Sequence, residues 1–478
     1  MTLLNILFFS LVVLVYRLFI KKLPRGWFLL CVSSLAVFWL QPALPIRYLD
    51  FWLPVATLSL AVFSWAITTQ PENRNIKGNL PTLLTVAGIV FALGLTRLIT
   101  LTGFIAHSRP PQLIQITIAL GGTALIFWLL ARPKRIIPAL LAGAIIFLIA
   151  LLVALKFPPL TTWISAQLRS LSGQSAALAS PLDIRWLGFS YIAFRLIHTI
   201  RDRQSGKLPA VNLQEYVNYV IFFPAVTAGP IDRLERFVTD LRSPTDMDAS
   251  QFLNGGQRLA FGLFKKFVLA DALALIALNS VNATQVTAGG WTWVLLYAFS
   301  FQIFLDFSGY TDIAIGLGRW LGINLPENFN HPYLKPNLTQ FWNNWHMTLT
   351  QWFRAYYFNP VTRAMRGSKR GSKKPLPAWF ILFFTQVTTM VLIGMWHGIT
   401  WSFIIWGLWQ GIGLFVQNRY SEWARPRTAS ISSKPGWGKV LSGLNIFLTF
   451  NYLALGWVWF TVPDPFLAAG ILGRLFGV

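Results

Sequence analysis

The chain is poor in cysteine, in acid and in histidine. Among 478 residues there is one cysteine, Cys31, with 16 Asp plus Glu and five histidines. A single cysteine forms no intrachain disulfide and supplies no Cys-based zinc or redox motif. Charged residues make up 12% of the chain, about half the ~25% of an average soluble domain. Walker A, Rossmann glycine and HExxH patterns are missing, so neither nucleotide nor metal chemistry has a sequence motif here. The serine nearest a histidine in an apolar run, Ser402, sits in no G-x-S-x-G elbow. Nucleophilic Ser or Cys catalysis therefore has little support, and a base that activates a substrate's own hydroxyl is the simpler chemistry.

What the chain has instead is apolar bulk. It is 55% hydrophobic, with 22 Trp and 39 Phe, a composition suited to lipid-facing and interfacial surfaces. A bilayer crossing needs roughly 20 apolar residues. Runs meeting or approaching that length fall at 3–20, 27–44, 51–69, 80–100, 112–131, 136–156, 186–200, 256–280, 291–318, 376–396, 399–417 and 441–462. Residues 3–20 lack a basic lead and an A-x-A site, and read as a retained helix. The segment 214–230 ends "FFPAVTAGP" and reads as broken or re-entrant. The stretch 157–183 is polar, with room for one surface helix. Over 338–365, large apolar residues recur at helical spacing, which predicts an amphipathic helix. The fold class expected is an all-α polytopic membrane protein.

The formal charge of +24 comes from 40 Lys plus Arg. In a soluble protein such an excess would suggest nucleic acid. Here the bases sit in alternate short loops, at 21–25, 74–77, 132–135 and 201–207, which is the positive-inside pattern and places the N-terminus outside. Anionic lipids, not nucleic acid, are the expected partner. Two further basic loops, 231–242 and 366–374, could dock an acidic partner.

Of the histidines, His107 is expected in an external loop, His198 at a headgroup and His331 in a turn. His397 is different. It lies in "MVLIGMWHGITWSFIIWGLWQGIG", apolar enough to cross a bilayer, where an ionisable ring is expensive and functional by default. Histidine also titrates near neutrality. His346 lies in a second Trp-rich helical setting. Asp306 and Asp312 stand within an apolar run, where tying helices together is their default role. Six residues apart, they fall on different faces of a helix and do not make a paired acid–base couple.

Three runs together, "DFSGYTDIAIGLGRWLGINLPENFNHPY", "FWNNWHMTLTQWFRAYYF" and "MWHGITWSFIIWGLWQG", resemble the membrane-bound O-acyltransferase family. The bacterial branch acting on alginate and teichoic acid is the most similar in wording. The resemblance covers about 185–420, leaving 1–184 as a transmembrane scaffold and 421–478 as a C-terminal loop and helix. It implies about 11–13 transmembrane helices, with re-entrant and amphipathic helices, around a central tunnel. It implies no bound cofactor and no metal. The donor would be a cytoplasmic acyl thioester on a carrier protein or coenzyme A. The acceptor would be a hydroxyl on an extracytoplasmic polysaccharide, teichoic acid or lipid, with an extracytoplasmic acyl-relay protein as a further partner.

By the same resemblance His397 matches the catalytic histidine of the "WHG" element and His346 the second histidine of the "FWxxWH" element. Asn343, Asn344, Trp345, Trp396, Asp306 and Asp312 are the supporting candidates. Two departures stand out. Arg354-Ala355-Tyr356 replaces an Arg-Asp-Tyr triplet, and Gln410 precedes Gly411 where polysaccharide acetyltransferases often carry histidine. A proton-coupled transporter or flippase using Asp306, Asp312 and His397 is the competing reading, and the absence of a repeated half with a matching interrupted helix weighs against it.

Overall fold

Long apolar runs free of Gly and Pro clusters satisfy their backbone groups internally only as helices, and the described apolar runs of this chain do so. The computed structural model describes residues 2–19, 23–98, 108–132, 137–243, 249–366, 376–432 and 435–478. His107, the basic pairs 21–22 and 134–135, and 367–375 of the densest basic run lie outside the described residues. Among those described there are helices and turns but no strand.

In chain order the helices are α1 (Leu3–Phe19), α2 (Arg25–Trp39), α3 (Leu49–Thr68), α4 (Ile76–Leu95), α5 (Leu113–Ala131), α6 (Pro138–Lys156), α7 (Pro158–Leu171), α8 (Phe189–Gln204), α9 (Leu213–Ile221), α10 (Leu234–Arg242) and α11 (Ala249–Phe264). They continue as α12 (Asp271–Ala274), α13 (Asn282–Gln285), α14 (Gly289–Trp320), α15 (Leu338–Trp342), α16 (Met347–Phe353), α17 (Asn359–Met365), α18 (Ala378–His397), α19 (Trp401–Ser432), α20 (Pro435–Thr461) and α21 (Pro465–Leu475). Six regions have the length and composition to cross a bilayer: α3, α4, α5, α6, α18 and most of α20. The fold is that of an all-α, multi-pass membrane protein.

The chain divides into two compact units. The first comprises Met1–Leu259 and Ile313–Pro326. Within it α3 is the buried span, 72% of its apolar window being interior, whereas α5 and α6 are only 11% interior. The exposed leucines and isoleucines of α5 and α6, such as Ile118, Leu125 and Ile146, therefore form a lipid-facing wall. Trp65 of α3 is fully buried and donates its indole N–H to the Val211 carbonyl.

The broken character expected over 214–230 is present. Helix α9 stops at Ile221, a short 3₁₀ turn covers Phe223–Ala225, and a cis peptide joins Gly229 to Pro230. A helix end leaves carbonyls without intrahelical donors. Buried Arg195 supplies them, donating to the carbonyls of Tyr219, Val220 and Ala225. Beside it His198 is also buried, its ring nitrogens 3.2 and 3.3 Å from the Tyr219 hydroxyl. The expectation of a headgroup contact for His198 is thus corrected, because it faces the core side of α8.

The second unit comprises Ala260–Asp312 and Glu327–Val478. Helix α11 is followed by a π-helical stretch, Lys265–Ala270, that places two consecutive lysines against α14. Lys265 donates to Asp312 at 2.7 Å, and Lys266 is bonded to Asp306. Helices α18 and α19 approach closely at Gly394, where a Cβ would stand 2.2 Å from the Phe403 carbonyl oxygen. Small residues at such crossings let membrane helices pack backbone to backbone.

Candidate functional site

The run 338–365 does not form the single amphipathic helix expected from its periodicity. α15 ends at Trp342, and α16 begins only at Met347. Between them His346 adopts the left-handed region, φ 42° and ψ 53°. A residue with a Cβ pays of order 1–3 kcal/mol for a sparsely populated conformation, and such a turn persists only where its surroundings fix it.

The fixing residue is Asn328, which is fully buried. Its Oδ1 accepts from the Thr348 backbone N–H at 3.1 Å and from the Thr348 hydroxyl at 2.7 Å. Its backbone carbonyl accepts from the Met347 N–H at 2.9 Å. The first amides of α16, orphaned by the break in the helix, are capped from a distant segment. Asn330 reinforces the arrangement by donating its N–H to the Asn344 carbonyl. Sequence reasoning missed Asn328. It stands inside the quoted "PENFNHPY" run, but nothing in that run alone says that its side chain reaches a helix start 20 residues later.

The same Oδ1 lies 3.3 Å from His346 Nδ1. Thr348 N–H can only donate, so the atom facing it is the amide oxygen, which can only accept. The imidazole therefore carries its proton on Nδ1, and Nε2 is the basic nitrogen. His346 lies outside the six membrane-length regions and is 4% exposed. Burial, with a smaller push from His397, holds its imidazole well below the ordinary histidine value. The ring is neutral. Phe307 stands edge-on to it at 4.7 Å between ring centroids.

His397 is the last residue of α18, and the chain turns to extended backbone at Gly398. Its ring is boxed by Trp396 at 4.6 Å, Phe460 at 4.8 Å, Phe403 at 5.8 Å and Trp406 at 5.9 Å. The close passage at Gly394 is what brings Phe403 and Trp406 onto it. Unlike His346, His397 is only half-buried. Trp396 also stands 6.3 Å from the His346 ring, so one indole is shared by both histidines.

In the same unit lies a mainly apolar cavity of about 170 Å³, lined by Trp342, Asn343, Arg354, Gln386, Met390 and Ile393 among others. Gln386, Met390, Ile393 and His397 follow one face of α18 at helical spacing, but the cavity's lining stops at Ile393 and includes neither histidine. Two of the lining residues, Trp342 and Gln386, carry a buried polar atom without a hydrogen-bond partner, Nε1 and Oε1 respectively. Such groups favour a ligand that carries both a donor and an acceptor.

The remaining sequence candidates separate clearly. Asn343 lines the cavity and accepts from Arg354 Nη2. Asn344 is spent locally, its amide N–H donated to the Gln340 carbonyl. Trp345 packs among Phe304, Phe329, Tyr333 and Phe341. The carboxylates of Asp306 and Asp312 are held by Lys266 and Lys265, the default helix-tying role. His331 sits in a left-handed turn with Nδ1 3.1 Å from Asn330 Oδ1, as a turn residue would. Among the described residues no group of His, Cys, Asp and Glu could hold a metal.

The profile of the MBOAT, membrane-bound O-acyltransferase family, matches residues 185–459, more than half of the chain. The chain is 34% identical over 291 residues to a probable alginate O-acetylase AlgI of Azotobacter vinelandii, covering 61% of this chain and 53% of that protein. It is 30% identical over 293 residues to a teichoic acid D-alanyltransferase of Streptococcus thermophilus, covering 58% of this chain and 68% of that one. It is 33% identical over 270 residues to a peptidoglycan O-acetyltransferase of Helicobacter pylori, covering 55% and 47%. The chain thus spans about half the length of the first of these relatives. His346 and His397 both fall inside the matched region.

Proposed function

Because this chain belongs to the membrane-bound O-acyltransferase family, we propose that it transfers an acyl group from a thioester donor to a hydroxyl acceptor, with His397 as general base. His397 takes the proton of the acceptor hydroxyl while that oxygen attacks the thioester carbonyl. The carbon–sulfur bond breaks, and the imidazolium returns the proton to the departing thiolate. An ester and a free thiol result, with no net change in protons. A positioned base of this kind contributes ~10²–10⁴-fold. Walls of Trp396, Phe403, Trp406 and Phe460 keep water from the thioester, which would otherwise hydrolyse.

The observation that carries this reading is the contrast in setting between the two histidines. His397 is half-buried at a helix end, on the same helix as three residues that line the cavity, Gln386, Met390 and Ile393. A donor arm lying in that cavity would find Trp342 Nε1 and Gln386 Oε1 as its donor and acceptor. His346 is buried, neutral and clamped, which suits a positioning partner whose Nε2 accepts a hydrogen bond. A neutral ring in that tautomer cannot donate from Nε2, so it does not serve as an oxyanion donor. Asn343, at the cavity wall, is the better candidate for that part.

The acceptor, by analogy with what the relatives are named for, is an envelope polymer such as a polysaccharide, teichoic acid or peptidoglycan. The donor is a carrier-protein or coenzyme A thioester approaching from the cytoplasm, and an extracytoplasmic acyl-relay protein completes the route. The protein would reside in the bacterial cytoplasmic membrane with its N-terminus outside. Of the basic loop 231–242, Arg236 and Arg242 already pair with Asp232 and Glu215, which weakens that loop as a free docking surface. The competing proton-relay reading loses support because lysines hold both aspartates it would need.

The test is chemical analysis of envelope polymers by mass spectrometry in a deletion strain complemented with wild-type or His397→Ala protein. Wild type should restore the ester and the variant should not, at equal membrane levels. Uptake of a solute into vesicles without any acyl donor would instead favour a transporter.

A further inference from the structure

The stretch 157–183, polar by composition, turns its polar side chains inward. In α7, Thr161, Ser165 and Arg169 follow one stripe at four-residue spacing, and all three are buried. Asp183 closes that stripe. It accepts from Ser165 Oγ at 2.6 Å, from Arg169 Nε at 2.7 Å and from the Ser180 N–H at 3.2 Å. Large apolar side chains are left outside. Trp163 is 61% exposed and Leu171 is 85% exposed. In the turns that follow, Leu178 and Leu182 are 68% and 65% exposed.

A water-covered surface usually carries charge on roughly 25–35% of its residues. Between residues 157 and 184 the only charged side chains are Arg169 and Asp183, and both are buried in their mutual ion pair. Gln167 and Ser170 are exposed polar groups of α7, and neither is charged. This surface therefore presents apolar bulk and no charge.

At 14 residues α7 is about 21 Å long, too short to cross ~30 Å of hydrocarbon. It begins where α6 ends. Phe157, between the two helices, is exposed, as are Ile146, Phe147 and Val153 along α6. The lipid-facing wall of α6 thus continues into α7.

We infer that α7 lies along the bilayer surface, with Trp163 and Leu171 in the acyl layer of one leaflet, and that its partner is lipid hydrocarbon and not headgroup charge. Tryptophan suits that boundary, with an apolar body and a polar N–H. In-plane helices ordinarily add Lys or Arg for anionic lipids. This one commits its only cation to Asp183.

The test uses the full-length protein in phosphatidylcholine vesicles that contain a phosphatidylcholine with a diazirine on its acyl chain. After photolysis and tryptic digestion, mass spectrometry locates the carbene adducts. Fragment 136–156, from α6, is the internal control for a folded, inserted protein. Fragments 157–169 and 170–185 should carry adducts as well, at a yield unchanged when phosphatidylglycerol is mixed in. Trp163→Asp sets a charge in the acyl layer. Adducts on 170–185, which the substitution leaves chemically unaltered, should then fall several-fold while those on 136–156 stay. The inference is overturned if 136–156 alone is tagged, because water, a second copy of the chain or another protein then covers α7. It is overturned too if tagging of α7 requires phosphatidylglycerol, or if Trp163→Asp leaves the adducts on 170–185 at full yield.

Discussion

The two Trp-flanked histidines of the second unit make an instructive pair. His397 ends a long regular helix, is half-buried and stands in a box of rings. His346 occupies a break between two short helices, is 4% exposed and is fixed by hydrogen bonds to Asn328. One ring is placed to exchange protons with something that arrives, the other to stay as it is. Accessibility and regular secondary structure go with the reacting role. Strain and a hydrogen bond that fixes the ring go with the positioning role.

The sharpest way to break this contrast is to remove each ring without disturbing its backbone. His397→Ala should lower acyl transfer by ~10²–10⁴-fold with normal membrane insertion, the range expected for a lost general base. His346→Asn should cost less, about tenfold, because Asn tolerates the left-handed turn while losing the imidazole. Initial rates on purified variants decide between them, and equal losses would erase the distinction.

Asn328 tests the clamp. Asn328→Ala leaves the Thr348 and His346 donors without their acceptor, at a cost of about 1–3 kcal/mol for each buried group left unmade. The unfolding midpoint and the transfer rate should fall together, and Asn328→Asp, which keeps an acceptor, should recover part of both. Recovery by Asp but not by Leu would identify the hydrogen bond, not side-chain volume, as the cause.

A pH experiment sharpens the same point. The folded-state pKa of His346 is depressed by burial. The associated stability is present above the ordinary histidine value of about 6.5 and is lost as pH falls below it. The unfolding midpoint should therefore drop as pH falls from about 6.5 toward about 3, with a shallower slope in His346→Asn. Because the His346 ring stays neutral, the shape of the pH–rate profile over that range should be the same in both proteins. A new limb in the variant would mean that His346 titrates during turnover.

The smallest effect on chemistry is expected from the lysine–aspartate ties. Lys265→Met removes the ion pair of Asp312, whose side chain is 7% exposed, and should lower stability. Transfer per folded molecule should stay close to wild type. A selective loss of rate at unchanged stability would return these aspartates to the proton-relay reading.

Much of the fold was legible because hydropathy and helix length are local properties. The apolar runs at 51–69, 112–131 and 136–156 became α3, α5 and α6 to within two residues at each end. The broken segment near Pro224 was also readable, since proline and glycine act where they stand. The site was half legible. His397 stood out because an ionisable ring in an apolar run is costly wherever that run packs. The break at His346 did not stand out. Its apolar stripe keeps helical spacing through 341–356, and only the distant carboxamide of Asn328 makes the left-handed turn tolerable. The π-helical stretches at Lys265–Ala270 and Arg354–Phe358 were hidden for the same reason, since they answer to packing partners and not to composition.

The most direct measurement is a single-turnover transfer assay with purified protein, an acyl-thioester donor and a hydroxyl acceptor, comparing wild type with His397→Ala. The expected result is ester formation by wild type and at least a hundredfold slower formation by the variant, with donor binding retained. Ester formation at the wild-type rate by His397→Ala would contradict the central claim.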